Sequence, residues 1–475
     1  MKGSDSVGLR KLRRGSAQPF QPSFATMVAG PPLLIGYLLP TSDTPNNRLR
    51  NATSSARFQK LAGDSGWALG VELSRLVSGL STIYLLGNAL GSQGYGAYAG
   101  MFAVVGVLSG IVNGAVSLSL VQSVARDRKD AQSMIRSHSG TAVASSIAVV
   151  VLALILIGVS VESISSLSIL GFVFTELALI SAIEFVGSVF FAHGQFRVRA
   201  QIQILVLGVR TSVVVGLYLL DKLTLEALIL ANLMLFLLSL PLLIKWVMPR
   251  LSLVLRPGRP ETEEVVQIGK FAAPMVANSL LSDGDKVVLS AVQSNAIVGE
   301  YAMAYRVVSI AFLPVDVIIS SSHLHFLDND TDGNGAQVKR AARFTAVSVL
   351  YSCVAMAVVW LLAPFVIDFI SEDFDAARKM VPWLLAFLPL HATWPFALSG
   401  LLGLGRVGAR SWIMIGSSVV SLAAYATLIP WLGWKGGALG TIVSEVVLSI
   451  VAWAALLHAQ RAHDAGRRNE ALSDR

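Results

Sequence analysis

Charge is scarce in this chain. Asp, Glu, Lys and Arg make up 14% of its 475 residues against 54% hydrophobic, and the mean hydropathy is +0.65. An average soluble chain carries about 25% charged residues, so a soluble multidomain protein is excluded. Cysteine is scarcer still: Cys353 stands alone, which rules out an internal disulfide, and its apolar surroundings suggest a small core residue. The polar-apolar alternation of an outer-membrane barrel strand is also missing.

What the sequence does contain is a series of apolar stretches long enough to cross a hydrocarbon layer of roughly 30 Å. Twelve can be read, near 66–88, 97–121, 140–161, 166–191, 200–220, 224–247, 270–292, 301–327, 344–369, 380–404, 411–432 and 436–457. All are expected to be α-helices, because an unpaired backbone group facing lipid costs several kcal/mol. The expected fold class is therefore an all-α integral membrane protein of twelve transmembrane helices.

The distribution of Lys and Arg supports that division. Alternate connections hold Arg48, Arg50, Arg57 and Lys60; Arg126, Arg128, Lys129 and Arg136; Arg197 and Arg199; Arg250, Arg256, Arg259 and Lys270; Lys339, Arg340 and Arg343; Arg406 and Arg410; and Arg461, Arg467, Arg468 and Arg475. The other connections hold only Lys222, Arg378, Lys379 and Lys435. By the positive-inside rule the first set faces the cytoplasm, and both termini with it. The net charge of +8 then reflects topology and contact with anionic lipid, and no nucleic acid is needed to explain it.

The stretch "FATMVAGPPLLIGYLLP" at 24–40 resembles a signal peptide or an extra span, but it is short, Pro31 and Pro32 break it, and cations flank it on both sides. Residues 1–62 are read as a cytoplasmic N-terminal extension, disordered or interfacial. An N-lobe over 63–250, a cytoplasmic linker over 251–265, a C-lobe over 266–458 and a cytoplasmic tail over 459–475 follow. "GAYA" from Gly96 opens the second span and "GEYA" from Gly299 opens the eighth. Six spans separate them, so two six-helix halves with the same orientation would be related by an axis along the membrane normal.

Three blocks carry a resemblance: "GNALGSQGYGAYAGMFAV", "LSDGDKVVLSAVQSNAIVGEYAMAYRVV" and "LIPWLGWKGGALGTIVSEVVL", at 87–104, 281–308 and 428–448. They resemble the polysaccharide-export flippases of the multidrug/oligosaccharidyl-lipid/polysaccharide superfamily, nearest the O-antigen type, over about 60–460. The resemblance implies two pseudo-symmetric six-helix lobes around a central cavity. It also implies transfer of a polyprenyl-pyrophosphate-linked oligosaccharide from the cytoplasmic to the periplasmic leaflet of a bacterial inner membrane. The implied partners are that lipid-linked oligosaccharide, membrane lipids, a coupling ion (H+ or Na+), and a polysaccharide polymerase with its chain-length proteins.

The residues give their own reason to expect a polar lumen. A charge at the centre of a spanning helix costs about 2.5–3.5 kcal/mol on insertion scales, so it turns to a bundle interior or a watery cavity. Arg75, Arg210, Lys286 and Arg306 are the embedded cations; Glu72, Glu176, Glu184, Asp283, Asp285 and Asp316 are the embedded acids. A pyrophosphate carries about two negative charges, for which Arg offers planar bidentate donors and Lys a point charge. Arg210, Arg306, Lys286 and Arg75 are accordingly candidates for substrate binding, and the six acids for ion coupling. The competing reading is that each cation neutralises a nearby acid: Arg75 with Glu72, Lys286 with Asp283 or Asp285. Arg210 and Arg306 have no acid within four residues on their own helices.

Other motifs are weaker. "DNDTDGNGAQVK", Asp328 to Lys339, imitates a calcium loop but has Lys339 where the bidentate glutamate belongs. His323 and His325 diverge on a helix, so no metal site is expected there. Gly106, Gly110 and Gly114 allow close helix approach and are expected to pack inside the N-lobe. Pro382, Pro389 and Pro395 should bend the tenth span, and Pro314 the eighth. No catalytic or phosphate-loop pattern is present, no cofactor is expected, and the outer connections are about a dozen residues or fewer and nearly free of His. An integral glycosyltransferase or polymerase is therefore the weakest alternative. A drug/cation antiporter of the same superfamily is the stronger one, sharing the fold and the embedded acids but having less use for a cationic cavity.

Overall fold

The computed structural model describes residues 47–126, 130–160, 164–247, 249, 256–259, 262–327 and 335–473. Among these, helix is the only regular structure, as a chain that must satisfy its own backbone in hydrocarbon requires. α1 (Asn47–Ser109) is 63 residues long, about 95 Å at 1.5 Å per residue and too long for one crossing. It bends at Gly91, whose φ of 62° and ψ of −173° suit glycine alone, and there the first and second spans meet.

A π turn (Gly110–Ala115), α2 (Val116–Val121) and a second π turn (Gln122–Arg126) complete the second span. α3 (Ala131–Ser160) follows, then α4 (Ser166–Phe174), which runs through a π turn (Thr175–Leu179) into α5 (Ile180–Ala192). α6 (Phe196–Leu219) and α7 (Leu225–Val247) close the first half. The second half is α8 (Thr262–Val292), α9 (Asn295–Ile310), α10 (Leu313–Leu327), α11 (Ala336–Ile370), α12 (Asp375–Leu385), α13 (Phe387–His391), α14 (Trp394–Gly403), α15 (Val407–Leu432) and α16 (Trp434–Ser473).

Nine of these helical segments are long and apolar enough to cross a membrane, or ten when the pair α9 and α10, bent by 53°, is taken as one. One of the nine is Leu69–Val124, which holds two spans, and α8, interrupted by Asp283, Asp285 and Lys286, is not among them. The twelve expected spans all fall on helix, and the count is consistent with them. In the eighth and tenth spans helices restart at prolines: α10 just before Pro314, α13 two residues before Pro389, and α14 with Pro395 in its first turn, where a missing N–H costs nothing; Pro382 lies inside α12 without a break.

The outside is apolar. Along α11, Val347, Leu350, Val354, Leu361, Phe365 and Phe369 are exposed, as are Val143, Ile147, Val151 and Ile155 along α3. Faces this apolar belong against lipid. At the end away from the basic connections, Trp383 meets Trp434 edge-on with ring centroids 6.2 Å apart, and Lys435 lies 5.6 Å from the Trp383 ring. Such a group suits the headgroup layer.

α1 starts at Asn47, so residues 47–62 are helix continuous with the first span, while 1–46 lie outside the described residues. α16 runs to Ser473, so 459–473 extend the last helix. Two expectations change. Cys353 is exposed on α11; its apolar neighbours in sequence mark a lipid-facing helix, not a protein core. The glycine stripe packs across the halves: Gly110 and Gly114 both face Met275 of α8. A smooth glycine face seats whichever helix crosses it, and sequence spacing does not say which. Residues 328–334 of the calcium-like loop and the side chains of His323 and His325 lie outside the described set.

At the basic end the halves are tied together. Gly258 donates its amide to the carbonyl of Arg136 at 2.7 Å, with Gly140 packed against Gly258. Ser137 donates to Glu264, a buried acid in the first turn of α8, and His138 lies 3.7 Å from the same carboxylate. Residues 256–259 of the expected linker thus strap one half to the other.

Candidate functional site

Tyr95 and Tyr98, on α1 beyond the Gly91 bend, sit between the two halves, and the cations gather around them. Arg210 on α6 binds Glu176 through both oxygens, at 3.1 Å and 2.6 Å. Glu176 lies in the π turn Thr175–Leu179, where the extra residue in the turn re-aims a side chain. The guanidinium also lies 5.9 Å from the Phe102 ring and interacts with the Tyr98 hydroxyl. Arg306 on α9 is exposed and interacts electrostatically with both Tyr95 and Tyr98. It has no ion pair among the described residues.

Lys286 is more heavily engaged. Its amine contacts Asp285 at 3.1 Å, Asp283 at 3.2 Å and the carbonyl of Ser282 at 2.9 Å, and it lies 3.5 Å from the centre of the Tyr305 ring. Asp285, 1% exposed, also accepts from the Tyr301 hydroxyl at 2.8 Å. The block "LIPWLGWKGGALG" makes room for this arrangement. Gly433 turns the chain at φ 60°, Gly437 admits the Tyr301 ring, and Gly440 admits Tyr425.

The remaining expected residues are spread over the bundle. Arg75 pairs with Glu72 at 2.7 Å with both side chains more than half exposed, a geometry worth little in stability. Glu184 accepts from Gln203 at 3.3 Å and interacts with Arg199. Asp316 on α10 lines a cavity of about 490 Å³ between the halves, with His391, Trp394 and Arg410. Glu72 and His391 both act on it electrostatically. Arg210, Arg306 and Lys286 are thus brought together; Arg75 and Glu184 are not part of that group.

Several residues in the cleft carry no signal used in the sequence reading. Glu445, 4% exposed, accepts from Trp394 at 2.6 Å and pairs with His391 at 2.8 Å. As an acid inside the twelfth span it meets the same cost criterion as Glu176, so this signal was present. The Arg210–Glu176 pair is different, because its partners are 34 positions apart and no helical spacing joins them. It also supplies the acid that Arg210 lacks on its own helix. The arrangement as a whole is an apolar-walled cleft with fixed cations, phenol hydroxyls and a few carboxylates, suited to holding an anion that carries a polar tail.

Residues 64–322, more than half of the chain, match the family described as Polysaccharide biosynthesis protein. No curated protein gives a match. Among solved structures, an inward-facing multidrug resistance MATE family transporter of the MOP superfamily superposes with a TM-score of 0.63 at 15% identity, covering 80% of this chain and 95% of that one. The lipid II flippase MurJ, in an inward closed conformation, gives 0.65 at 13% identity over 82% and 87%. A MOP superfamily transporter from Pyrococcus furiosus, described as having a binding pocket of reverse polarity, gives 0.51 at 14% over 85% and 95%. Similarity at these identities establishes the fold, which this chain shares with MOP superfamily transporters. On the family match over its sequence, the chain belongs to the polysaccharide biosynthesis protein family.

Proposed function

We propose that this protein flips a polyprenyl-pyrophosphate-linked oligosaccharide from the cytoplasmic to the periplasmic leaflet of a bacterial inner membrane, by alternating access of the cleft between its halves. The product would feed O-antigen, capsule or exopolysaccharide assembly, alongside a polymerase and chain-length proteins. The observation that carries this reading is the convergence of Arg210, Arg306 and Lys286 on Tyr95 and Tyr98. Arg210 comes from one half and the other two from the second. Cations shared between two moving halves offer a diphosphate a binding site that can be rebuilt on either side.

Glu176, Glu184, Asp316, Asp283, Asp285 and Glu72 are the proposed ion-coupling set. The geometry favours Asp316 among them, because it lines the cavity and has no ion pair within bonding distance among the described residues. The acids Asp316 and Glu445 near this cavity also favour the drug/cation antiporter as the second reading. A flipping assay separates the two: proteoliposomes are loaded with a fluorescent polyprenyl-diphosphate oligosaccharide and, in parallel, with a cationic dye. Flipping of the first that Arg306→Ala abolishes supports the flippase; transport of the dye alone removes it.

A further inference from the structure

Arg410 belongs to the cations expected in a connection, but it is the fourth residue of α15 and is turned into the 490 Å³ cavity, where it is 8% exposed. Its Nε and Nη1 are buried without a hydrogen-bond partner among the described residues. Among the described residues it makes no ion pair, and burial alone acts on it. Glu445 is occupied by His391 and Trp394, and Asp316 interacts with His391 and Glu72. An arginine stays protonated in a protein, so a full positive charge is held in the wall of the cavity with two donors, Nε and Nη1, that meet no acceptor among the described residues. Burial of this kind is destabilising unless a counter-charge arrives.

We infer that Arg410 anchors a phosphate-bearing anion at the basic end of the cavity, and that this anion is the diphosphate of the lipid-linked cargo at the start of its passage. The identity of the anion rests on the flippase function proposed above; the anion site itself rests on the unpartnered guanidinium. The position is apt. Arg410 lies one turn inside the basic end, the positive end of the α15 dipole adds to the attraction, and the cavity leads past Met275 and Ser282 toward Tyr305, which stacks under Lys286. The diphosphate is received by Arg410 and then passed to Arg306, Lys286 and Arg210.

The test uses the full-length protein in nanodiscs, with inorganic pyrophosphate and a polyprenyl diphosphate as probes. Wild type should bind both and melt at a higher temperature in their presence. Arg410→Met should melt higher than wild type without ligand, because a stranded charge is gone. It should lose the ligand-induced rise and bind polyprenyl diphosphate at least about tenfold more weakly. Arg410→Lys should be intermediate, and it decides the matter if Arg410→Met does not fold. The exposed neighbour variant Arg406→Gln should behave as wild type. Binding unchanged in both Arg410 variants, or no pyrophosphate binding by wild type, overturns the inference. So does equal competition from phosphatidylglycerol in the nanodisc, which would make a bulk lipid headgroup the ligand. Wild-type flipping that Arg410→Met retains at full rate leaves the function standing and removes the inference. Absent wild-type flipping with Arg410-dependent pyrophosphate binding keeps the anion site and removes the cargo.

Discussion

Gly96 and Gly299, the opening glycines of the two repeats, meet backbone to backbone between the halves. A Cβ on Gly96 would stand 2.6 Å from the amide nitrogen of Gly299, and a Cβ on Gly299 would stand 2.9 Å from the amide nitrogen of Gly96. The contact is reciprocal: each glycine leaves the room that the other's backbone occupies. Alanine at either position should force the halves apart at this end, at a cost of about 1–3 kcal/mol for an overpacked contact. Gly96→Ala and Gly299→Ala should each lower the melting temperature. Melting indistinguishable from wild type would mean the halves are not locked at this point.

Arg306 and Arg210 should respond differently to the same substitution. Arg306 has no ion pair among the described residues and is exposed, so Arg306→Ala should leave abundance normal and abolish glycan export, with Lys restoring it only in part. Arg210→Ala strands Glu176, whose side chain is 10% exposed, and breaking a buried pair costs about 3–5 kcal/mol. Its abundance should fall, and adding Glu176→Gln should restore abundance without restoring export. Normal export by both Ala variants would make these cations structural.

Lys286 is expected to be structural first. With Asp283, Asp285 and Ser282 on its amine, Lys286→Met leaves Asp285 buried with the Tyr301 hydroxyl as its remaining side-chain partner. The variant should be poorly folded by size-exclusion profile, and Asp285→Asn in the same chain should recover it. A well-folded Lys286→Met that exports normally would remove the amine from both the core and the cargo path.

Coupling should be visible as a dependence of transport on an imposed pH or sodium gradient. Asp316→Asn and Glu184→Gln should weaken that dependence while the protein remains folded. Transport by wild type that ignores both gradients would remove the coupling assignment.

Topology is testable by fusion. Reporters after residue 293 should be periplasmic and after residue 335 cytoplasmic, following the asymmetry of Lys and Arg. The reverse pattern would invert the orientation.

The sequence by itself determined the fold class, the approximate positions of the apolar spans and the breaks at Pro314 and Pro395. Each of these depends on local composition over a length set by the bilayer or on backbone chemistry at single residues, such as Pro314 and Pro395. It also pointed to the Arg75–Glu72 pair and to Lys286 with its aspartates, because those partners lie within a helical turn of one another. Only the tertiary structure decided that Arg210 belongs with Glu176, that Gly110 and Gly114 seat α8, that Cys353 faces outward, and that Arg410 lies in the cavity with its Nε and Nη1 unpartnered among the described residues. These are contacts between helices distant in the chain, and they are set by how each helix is rotated about its axis when packed. Periodicity fixes which residues share a face; the neighbour that meets that face is chosen by the packing of all the helices together.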